Sequence, residues 1–319
     1  MELWVDSSSV LEVMLYKEKT TYAQHDYFAQ TAKSANPLDA NAIAVDPACR
    51  KVMTKWCTSL CKFCNYDRNM IASIMSCVDR FVATPRGSRI LWNRGDYQLV
   101  VMASLYLVTK IQQRQALQPE SMAKLSRGKY SKDDVEAMEL EILIALNWSV
   151  NPPTPMAFAH EFVKNFRLLD DEYDVPCAVR TMVEDRILEL IHCQLDEAAS
   201  DYELSCLHRQ SHVAFAALVN ALGSLDIDPF DLQSVKALKE QLEINEDCSL
   251  GGTFQNMSTA LMRIASSSED SSSALLIQRS CGLSNSSRNK TEKDVSDSSL
   301  SASSSIHSSP RAVAGDILR

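Results

Sequence analysis

The sequence predicts an all-α protein, and two observations support that fold class. Only 8 glycines and 10 prolines occur in 319 residues, fewer than the many tight turns of β-sandwiches or α/β folds require. Apolar residues up to position 265 recur at helical spacing. Because about five helical segments precede a proline-rich linker and five follow it, we predict a tandem pair of five-helix folds.

The first group of helices is predicted from its start signals. Asp46 followed by Pro47 begins the first, since a carboxylate accepts orphan N–H bonds and proline suits the first helical position. A second, strongly apolar helix is predicted at about 67–83. The remaining predicted starts are Asp96 for the third helix, Pro119 for the fourth, and a capping box of Ser131 and Asp134 for the fifth.

The stretch NPPTP at 151–155 cannot continue a helix and therefore separates the two groups. The second group is predicted at about 154–166, 175–195, 208–222, 229–242 and 253–265. From Ser266 the chain is rich in serine and poor in large apolar residues, which predicts a disordered tail. The predicted organisation is an N-terminal extension at 1–45, a first fold at 46–150, a second at 151–265 and the tail at 266–319.

Composition excludes several classes of function. The formal net charge is −9, and no sustained Lys/Arg block gives nucleic acid an electrostatic footprint. No apolar run approaches the roughly 20 residues of a membrane span, and the N-terminus lacks the pattern of a secretory signal. We therefore expect an intracellular protein with neither nucleic-acid nor membrane partners. Its ten cysteines are expected to be mostly reduced thiols.

Three cysteines form the sharpest enzymatic motif. Cys57, Cys61 and Cys64 match the CxxxCxxC spacing with which radical S-adenosylmethionine enzymes hold an iron–sulfur cluster. Here the motif lies inside a predicted amphipathic helix, where these positions share one face, and no alternation of strands and helices surrounds it. We favour packing as the role of these cysteines and keep the iron–sulfur enzyme as an alternative.

No other pattern indicates catalysis. His208 and His212 are spaced i, i+4 on a predicted helix, but no further ligand has a suitable spacing. Glycine-rich phosphate loops, nucleophile elbows and kinase signatures are absent from the sequence. We therefore predict a protein that is not an enzyme and uses neither metal nor cofactor.

Two charged residues indicate a binding site for a protein. Lys110 ends the apolar stretch 100–110, where a lysine in the last helical turn already interacts well with the helix dipole. Glu139 shares a helical stripe with Val135 and Ile142, so its carboxylate should lie near the core, where charges normally have partners. We predict that this lysine and glutamate meet at one edge of the bundle and present two polar groups to the backbone of another protein.

Four segments of the sequence form a recognisable series: RKVMTKW (50–56), VDRFVA (78–83), YQLVVMASLYLVTK (97–110) and YSKDDVEAMELEILIALNWSVNPPTP (130–155). In order and at suitable separations, they resemble the cyclin box. Similarity is weaker over 154–265, where HRQSHVAFAALVNAL resembles the third helix of a cyclin's C-terminal box. The resemblance implies a regulatory subunit that binds and activates a cyclin-dependent protein kinase in cell-cycle control. A short N-terminal region without an evident RxxL destruction box favours a G1 or D-type member.

The resemblance also implies roles for individual residues. Lys110 and Glu139 fall on the lysine and glutamate that grip the kinase, and Arg50 and Asp79 on an ion pair that braces the box. A docking patch for RxL-type motifs of substrates or inhibitors is implied at Cys49, Val52, Met53, Trp56 and Gln98. A core stripe explains Val52 and Trp56 equally well.

The sequence departs from the cyclin pattern at three places. Cys49 stands where a larger methionine is usual, and Lys55 where an acid is common. After Lys110 the residues IQQ replace the aromatic and two glutamates of many cyclins. These departures leave the identity of the kinase and the function of the docking patch open.

The remaining expectations concern the tail, the cellular location of the protein and an alternative function. Ser309, which precedes Pro310, is a candidate phosphorylation site, and Lys290 and Lys293 are candidate ubiquitin acceptors. An inert solubilising tail is the alternative. The cyclin resemblance implies residence in nucleus and cytoplasm. A cyclin-fold transcription or scaffold protein is the alternative function, although it would call for a basic face.

Overall fold

A computed structural model describes most of the chain up to residue 266. The prediction of a disordered tail, and with it Ser309, Lys290 and Lys293, lies outside the described residues. Within those residues all regular secondary structure is helical, as the sequence predicts, and none of their helices is long and apolar enough to cross a bilayer. The described residues are 7–34, 45–115, 117–165, 177–225, 227, 233–244 and 250–266.

Among the described residues, seven α-helices precede the linker at 151–155 and five follow it. A 3-10 turn at Ser88–Trp92 precedes α5, and a short π-helical turn at Glu203–Leu207 precedes α10. The first group is α1 (Ser7–Lys19), α2 (Tyr27–Ser34), α3 (Pro47–Cys64), α4 (Met70–Val82), α5 (Arg94–Gln112), α6 (Pro119–Leu125) and α7 (Lys132–Ala145). The second is α8 (Pro155–Asn165), α9 (Cys177–Ala198), α10 (Gln210–Gly223), α11 (Gln233–Gln241) and α12 (Leu250–Ser266).

The capping predictions are confirmed at two helices and wrong at a third. Asp46 Oδ1 accepts a hydrogen bond from the Cys49 amide at 2.7 Å. Ser131 and Asp134 form the reciprocal capping box of α7. Asp96 does not cap α5, because Asn93 has the extended backbone of a capping residue and its side chain accepts from the Gly95 amide. Asp96 lies instead in the first turn, where the helix dipole favours a negative charge.

Helix α5 is the centre of the first bundle. Its residues from Tyr97 to Thr109 are buried except for Leu99, and it packs against α4 and α7. A helix that is apolar on all sides gains most free energy when other helices surround it. Burial of α5 therefore fixes where its last turn, which contains Lys110, leaves the core.

The second bundle is organised in the same way around α10, which packs against α8, α9 and α12. The N-terminal segment 7–34 is divided between the two cores. Leu11 and Leu15 of α1 are buried in the second core, whereas Tyr27 of α2 is buried in the first. This segment therefore connects the two bundles and does not project away from them.

A buried carboxylate holds α1 on the second bundle. Glu18 is 6% exposed, and its two oxygens accept hydrogen bonds from the Ser211 amide at 2.8 Å and the Ser211 hydroxyl at 2.6 Å. Glu18 thus satisfies an orphan N–H at the start of α10 from a distant part of the chain. Burial raises the pKa of Glu18 above its usual value, against the lowering effect of these hydrogen bonds.

We expect Glu18→Gln to change how stability depends on pH. Because the pKa of Glu18 is higher in the folded state, the folded protein binds more protons between the unfolded and the folded pKa. Wild type should therefore lose stability relative to Glu18→Gln as pH rises through that window, which begins near pH 4.5. Urea unfolding of both proteins across pH 4 to 8 measures the difference. A wild-type advantage that grows with pH would contradict the prediction.

Candidate functional site

The end of α5 and the middle of α7 bring Lys110 and Glu139 together. The Lys110 ammonium forms an ion pair with Glu139 Oε1 and lies 4.4 Å from the centre of the Tyr106 ring. The side chain of Lys110 is 39% exposed and that of Glu139 is 9% exposed. The two groups therefore meet at one edge of the bundle, with the ammonium open to a partner and the carboxylate largely enclosed.

The two helices that carry this pair also carry exposed apolar side chains. Ile111 is 46% exposed, Leu140 is 50% exposed, and Ile144, one turn after Leu140, is 49% exposed. Large apolar groups that stay exposed around a polar anchor are typical of protein-binding surfaces. We call this surface the α5–α7 edge, formed by Lys110, Glu139, Ile111, Leu140 and Ile144.

Sequence reasoning missed the apolar part of the α5–α7 edge. The available signal was the i, i+4 spacing of Leu140 and Ile144, which are offset from the core stripe of Val135, Glu139 and Ile142. Chemically, the ammonium can donate to backbone carbonyls, the carboxylate can accept from backbone N–H groups, and the apolar residues can exclude water. Such an edge can therefore bind the free backbone carbonyl or N–H groups at one end of a helix of another protein.

Arg50 and Asp79 form a bidentate ion pair between α3 and α4. Arg50 Nε donates to Asp79 Oδ1 at 2.9 Å and Arg50 Nη2 donates to Asp79 Oδ2 at 2.8 Å. The Arg50 side chain is fully buried and that of Asp79 is 10% exposed. Burial by itself would lower the pKa of Arg50, but the Asp79 carboxylate and its hydrogen bonds raise it well above the usual value.

The same pair reaches the second bundle and the N-terminal segment. Arg50 Nη1 donates to the Ala199 carbonyl, just after α9, at 3.0 Å. The Tyr27 hydroxyl donates to Asp79 Oδ1 at 3.0 Å, and burial raises the pKa of that phenol well above its ordinary value. The guanidinium and carboxylate thus connect four elements: α2, α3, α4 and the end of α9. No sequence signal indicated the contacts with Tyr27 or Ala199.

The residues assigned to a docking patch are mostly enclosed. Cys49, Met53, Trp56 and Gln98 are each at most 9% exposed, and Val52 alone among the five is half-buried. Gln98 Oε1 accepts from the Tyr130 hydroxyl and the Lys129 ammonium, both at 3.3 Å. Val52 is therefore the residue of this set that is most open to a partner, and docking at this surface stays a prediction.

The three cysteines of the CxxxCxxC motif lie on α3. Cys57 and Cys61 are buried in the first core and Cys64 is half-buried against it. Burial raises the pKa of Cys61 to about 12 and that of Cys57 well above its usual value, so these groups are neutral thiols at physiological pH. Metal ligation requires thiolates, and the observed burial matches the packing role.

The predicted helical pairing of His208 and His212 is wrong. His208 has extended backbone and precedes α10, which begins at Gln210, so the two imidazoles do not share a helical face. His212 Nε2 is 3.1 Å from the Leu242 carbonyl, to which a protonated ring nitrogen donates. Burial lowers the pKa of His212 to about 4. No group of three potential metal ligands occurs in the part of the chain that the structure describes.

Comparison with known proteins gives matches to cyclins. Residues 9–151 match the family described as cyclin, N-terminal domain. G1/S-specific cyclin-E1 of Gallus gallus is 25% identical over 174 residues, which cover 54% of this chain and 38% of that protein. G2/mitotic-specific cyclin-2 of Antirrhinum majus is 34% identical over 87 residues, 27% of this chain and 19% of that protein. The matches therefore span less than half the length of these relatives.

A solved structure shows the same fold. A viral cyclin from herpesvirus saimiri superposes with a TM-score of 0.50 at 14% sequence identity, covering 76% of this chain and 96% of the viral one. The family match includes α3 to α7 and therefore both the α5–α7 edge and the Arg50–Asp79 pair. Residues 9–151, which contain the first bundle, therefore match the N-terminal domain of the cyclin family, and the described chain has the fold of a cyclin.

Proposed function

We propose that this protein is the regulatory subunit of a cyclin-dependent protein kinase, which it binds and activates in cell-cycle control. The observation that carries the proposal is the α5–α7 edge, where the Lys110–Glu139 pair joins two helices that also carry exposed apolar side chains. The match to G1/S-specific cyclin-E1 supports a G1 role. Residence in nucleus and cytoplasm and phosphorylation of the tail at Ser309 belong to the same proposal.

The protein would activate the kinase by binding its active conformation more tightly than its inactive one. In protein kinases a lysine on strand β3 must pair with a glutamate on helix αC before phosphates and metal are aligned. A partner that binds only the inward position of αC raises activity by shifting the population. Moving that population from about 1:99 to about 99:1 takes roughly 5.5 kcal/mol of differential binding. This protein would supply binding energy and no chemistry of its own.

We expect the double variant Lys110→Ala/Glu139→Ala to lose kinase binding while it keeps its fold. Truncating an anchor at the centre of an interface commonly weakens binding by about 2 kcal/mol or more, which is roughly a 30-fold change in Kd. The double variant removes both charges together, so it leaves no uncompensated charge beside the core and should keep its fold. A pull-down from cell extract followed by an assay on a histone-like substrate measures kinase binding and activity.

A second ion pair on α7 provides the matched control. Arg89 Nη2 lies 2.8 Å from Glu141 Oε1, and this pair also joins α7 to a different element. Arg89→Ala/Glu141→Ala should therefore bind and activate the kinase like wild type. Equal losses of kinase binding in both double variants would refute the proposal. Full kinase activation by Lys110→Ala/Glu139→Ala would refute it as well.

A further inference from the structure

Helix α3 is a basic helix in an acidic protein. It contains four Lys or Arg residues and no Asp or Glu, whereas the whole chain has a net charge of −9. Arg50 points into the core and is paired with Asp79, but Lys51, Lys55 and Lys62 are exposed. We call these three residues the lysine stripe. This stripe places positive charge on the exposed side of α3.

The lysine stripe and two apolar side chains share one face of α3. At about 100° per residue, the three lysines, half-buried Val52 and Phe63 fall within an arc of roughly 120°. The ring of Phe63 is 78% exposed, although a side chain of that size is normally buried. Lys51 and Lys55 form no ion pair with any residue that the structure describes. This face therefore offers positive charge together with apolar contact area.

Further basic residues lie next to the N-terminal end of this face. The Lys129 ammonium is 3.3 Å from Gln98 Oε1 and lies over the Tyr130 ring, near the start of α5. The pKa of Asp46, at the cap of α3, is lowered by the hydrogen bond from the Cys49 amide and also by the charge of Arg94. That carboxylate is thus already engaged by its own helix and by a neighbouring guanidinium. Lys129 and Arg94 therefore add positive charge near this end of α3, where Asp96 adds one exposed carboxylate.

We propose that the lysine stripe docks an acidic linear segment of a partner protein, bearing Asp, Glu or phosphorylated side chains and one apolar residue. Because Cys49, Met53, Trp56 and Gln98 are enclosed, binding depends on the lysines, with Val52 and Phe63 as the apolar contacts. A cationic RxL-type motif would meet the like charge of Lys51 and Lys55. Use of this face to bring substrates to a bound kinase rests on the proposed function, whereas the docking itself does not.

The dimensions of the stripe set the length of the segment. Lys51 and Lys62 are eleven positions apart in α3, which at about 1.5 Å per residue is roughly 16 Å. An extended chain covers that distance with about five residues at about 3.3 Å each. A short linear motif with acidic side chains therefore matches the stripe.

The test uses the full chain without any kinase, so that its outcome is separate from that of the proposed function. The probe is a fluorescein-labelled peptide in which about five Asp and Glu residues precede one leucine, and fluorescence anisotropy measures its Kd. We expect Lys51→Glu/Lys55→Glu to weaken binding at least tenfold, and Lys51→Gln/Lys55→Gln to weaken it by less. Wild-type binding should also weaken as salt is added, since charges at an exposed face are screened.

The matched control is Lys17→Glu/Lys236→Glu, which changes net charge equally at exposed lysines on α1 and α11. It should bind the acidic peptide within twofold of wild type. If Lys51→Glu/Lys55→Glu and Lys17→Glu/Lys236→Glu lose equal affinity for the peptide, the effect of charge is non-specific and the proposal is overturned. Tighter wild-type binding of an RxL-type peptide, or of a short DNA or RNA duplex, would overturn it as well. Circular dichroism of each variant verifies its helical content.

Discussion

Replacing Arg50 with alanine should destabilise the protein by about 3 to 5 kcal/mol. Asp79 would keep a charge in a site where its side chain is only 10% exposed, and removal of one partner of a buried pair leaves that charge uncompensated. The Ala199 carbonyl would lose its donor from Arg50 as well. Urea unfolding monitored by circular dichroism measures the change in the free energy of unfolding.

A second Arg–Asp pair, which joins the first bundle to α9 of the second, serves as the control. Arg68 Nη2 lies 2.8 Å from Asp196 Oδ2, but these side chains are 42% and 28% exposed. Arg68→Ala should cost no more than about 1 kcal/mol, because solvent already screens this pair. Arg50→Met/Asp79→Leu should be more stable than Arg50→Ala, since it leaves no unpaired charge in the core. If Arg50→Ala and Arg68→Ala lower the free energy of unfolding by similar amounts, burial of the Arg50–Asp79 pair does not determine its contribution to stability.

Replacing Trp56 with alanine should cost about 3 to 5 kcal/mol of folding free energy. The indole is 2% exposed within the first core, so truncation removes a large buried surface and leaves a cavity. The result separates the two interpretations of Trp56 that the sequence left open, which are a core residue and a residue of a docking patch. A core residue affects unfolding, whereas a groove residue affects peptide binding.

Val52 provides the comparison for Trp56 on the same helix. It is half-buried, and Val52→Ala removes two methyl groups, so we expect a loss of about 1 kcal/mol or less. Differential scanning calorimetry of both variants measures the two losses under identical conditions. Unchanged stability of Trp56→Ala, together with weaker peptide binding, would place the indole in a groove and not in the core.

The sequence predicted the meeting of Lys110 and Glu139 because local rules alone define both helices. The apolar stretch 100–110 requires burial on all sides, and its lysine therefore marks an exit from the core. The stripe of Val135, Glu139 and Ile142 turns the carboxylate toward that core. Two such faces pack against each other in the most favourable arrangement, and their polar groups then meet at the edge.

The sequence was less informative where a polar group has several candidate partners. It suggested Asp96 as the cap of α5, but Asn93 caps that helix because an asparagine oxygen accepts an N–H bond equally well. It paired His208 with His212 on one helix, yet α10 begins after His208. In both cases the first helical residue depends on backbone geometry that residue type does not specify.

By itself the sequence determined the all-helical class, the positions of most helices and the two charged residues of the α5–α7 edge. These depend on periodicity and capping, which act within a few residues along the chain. Only the tertiary structure decided that Arg50 reaches Ala199, that Glu18 caps α10, and that Trp56 is enclosed while Phe63 stays exposed. Those outcomes depend on how two bundles and an N-terminal segment pack in space, and contacts across more than a hundred residues leave no periodic signal in the sequence.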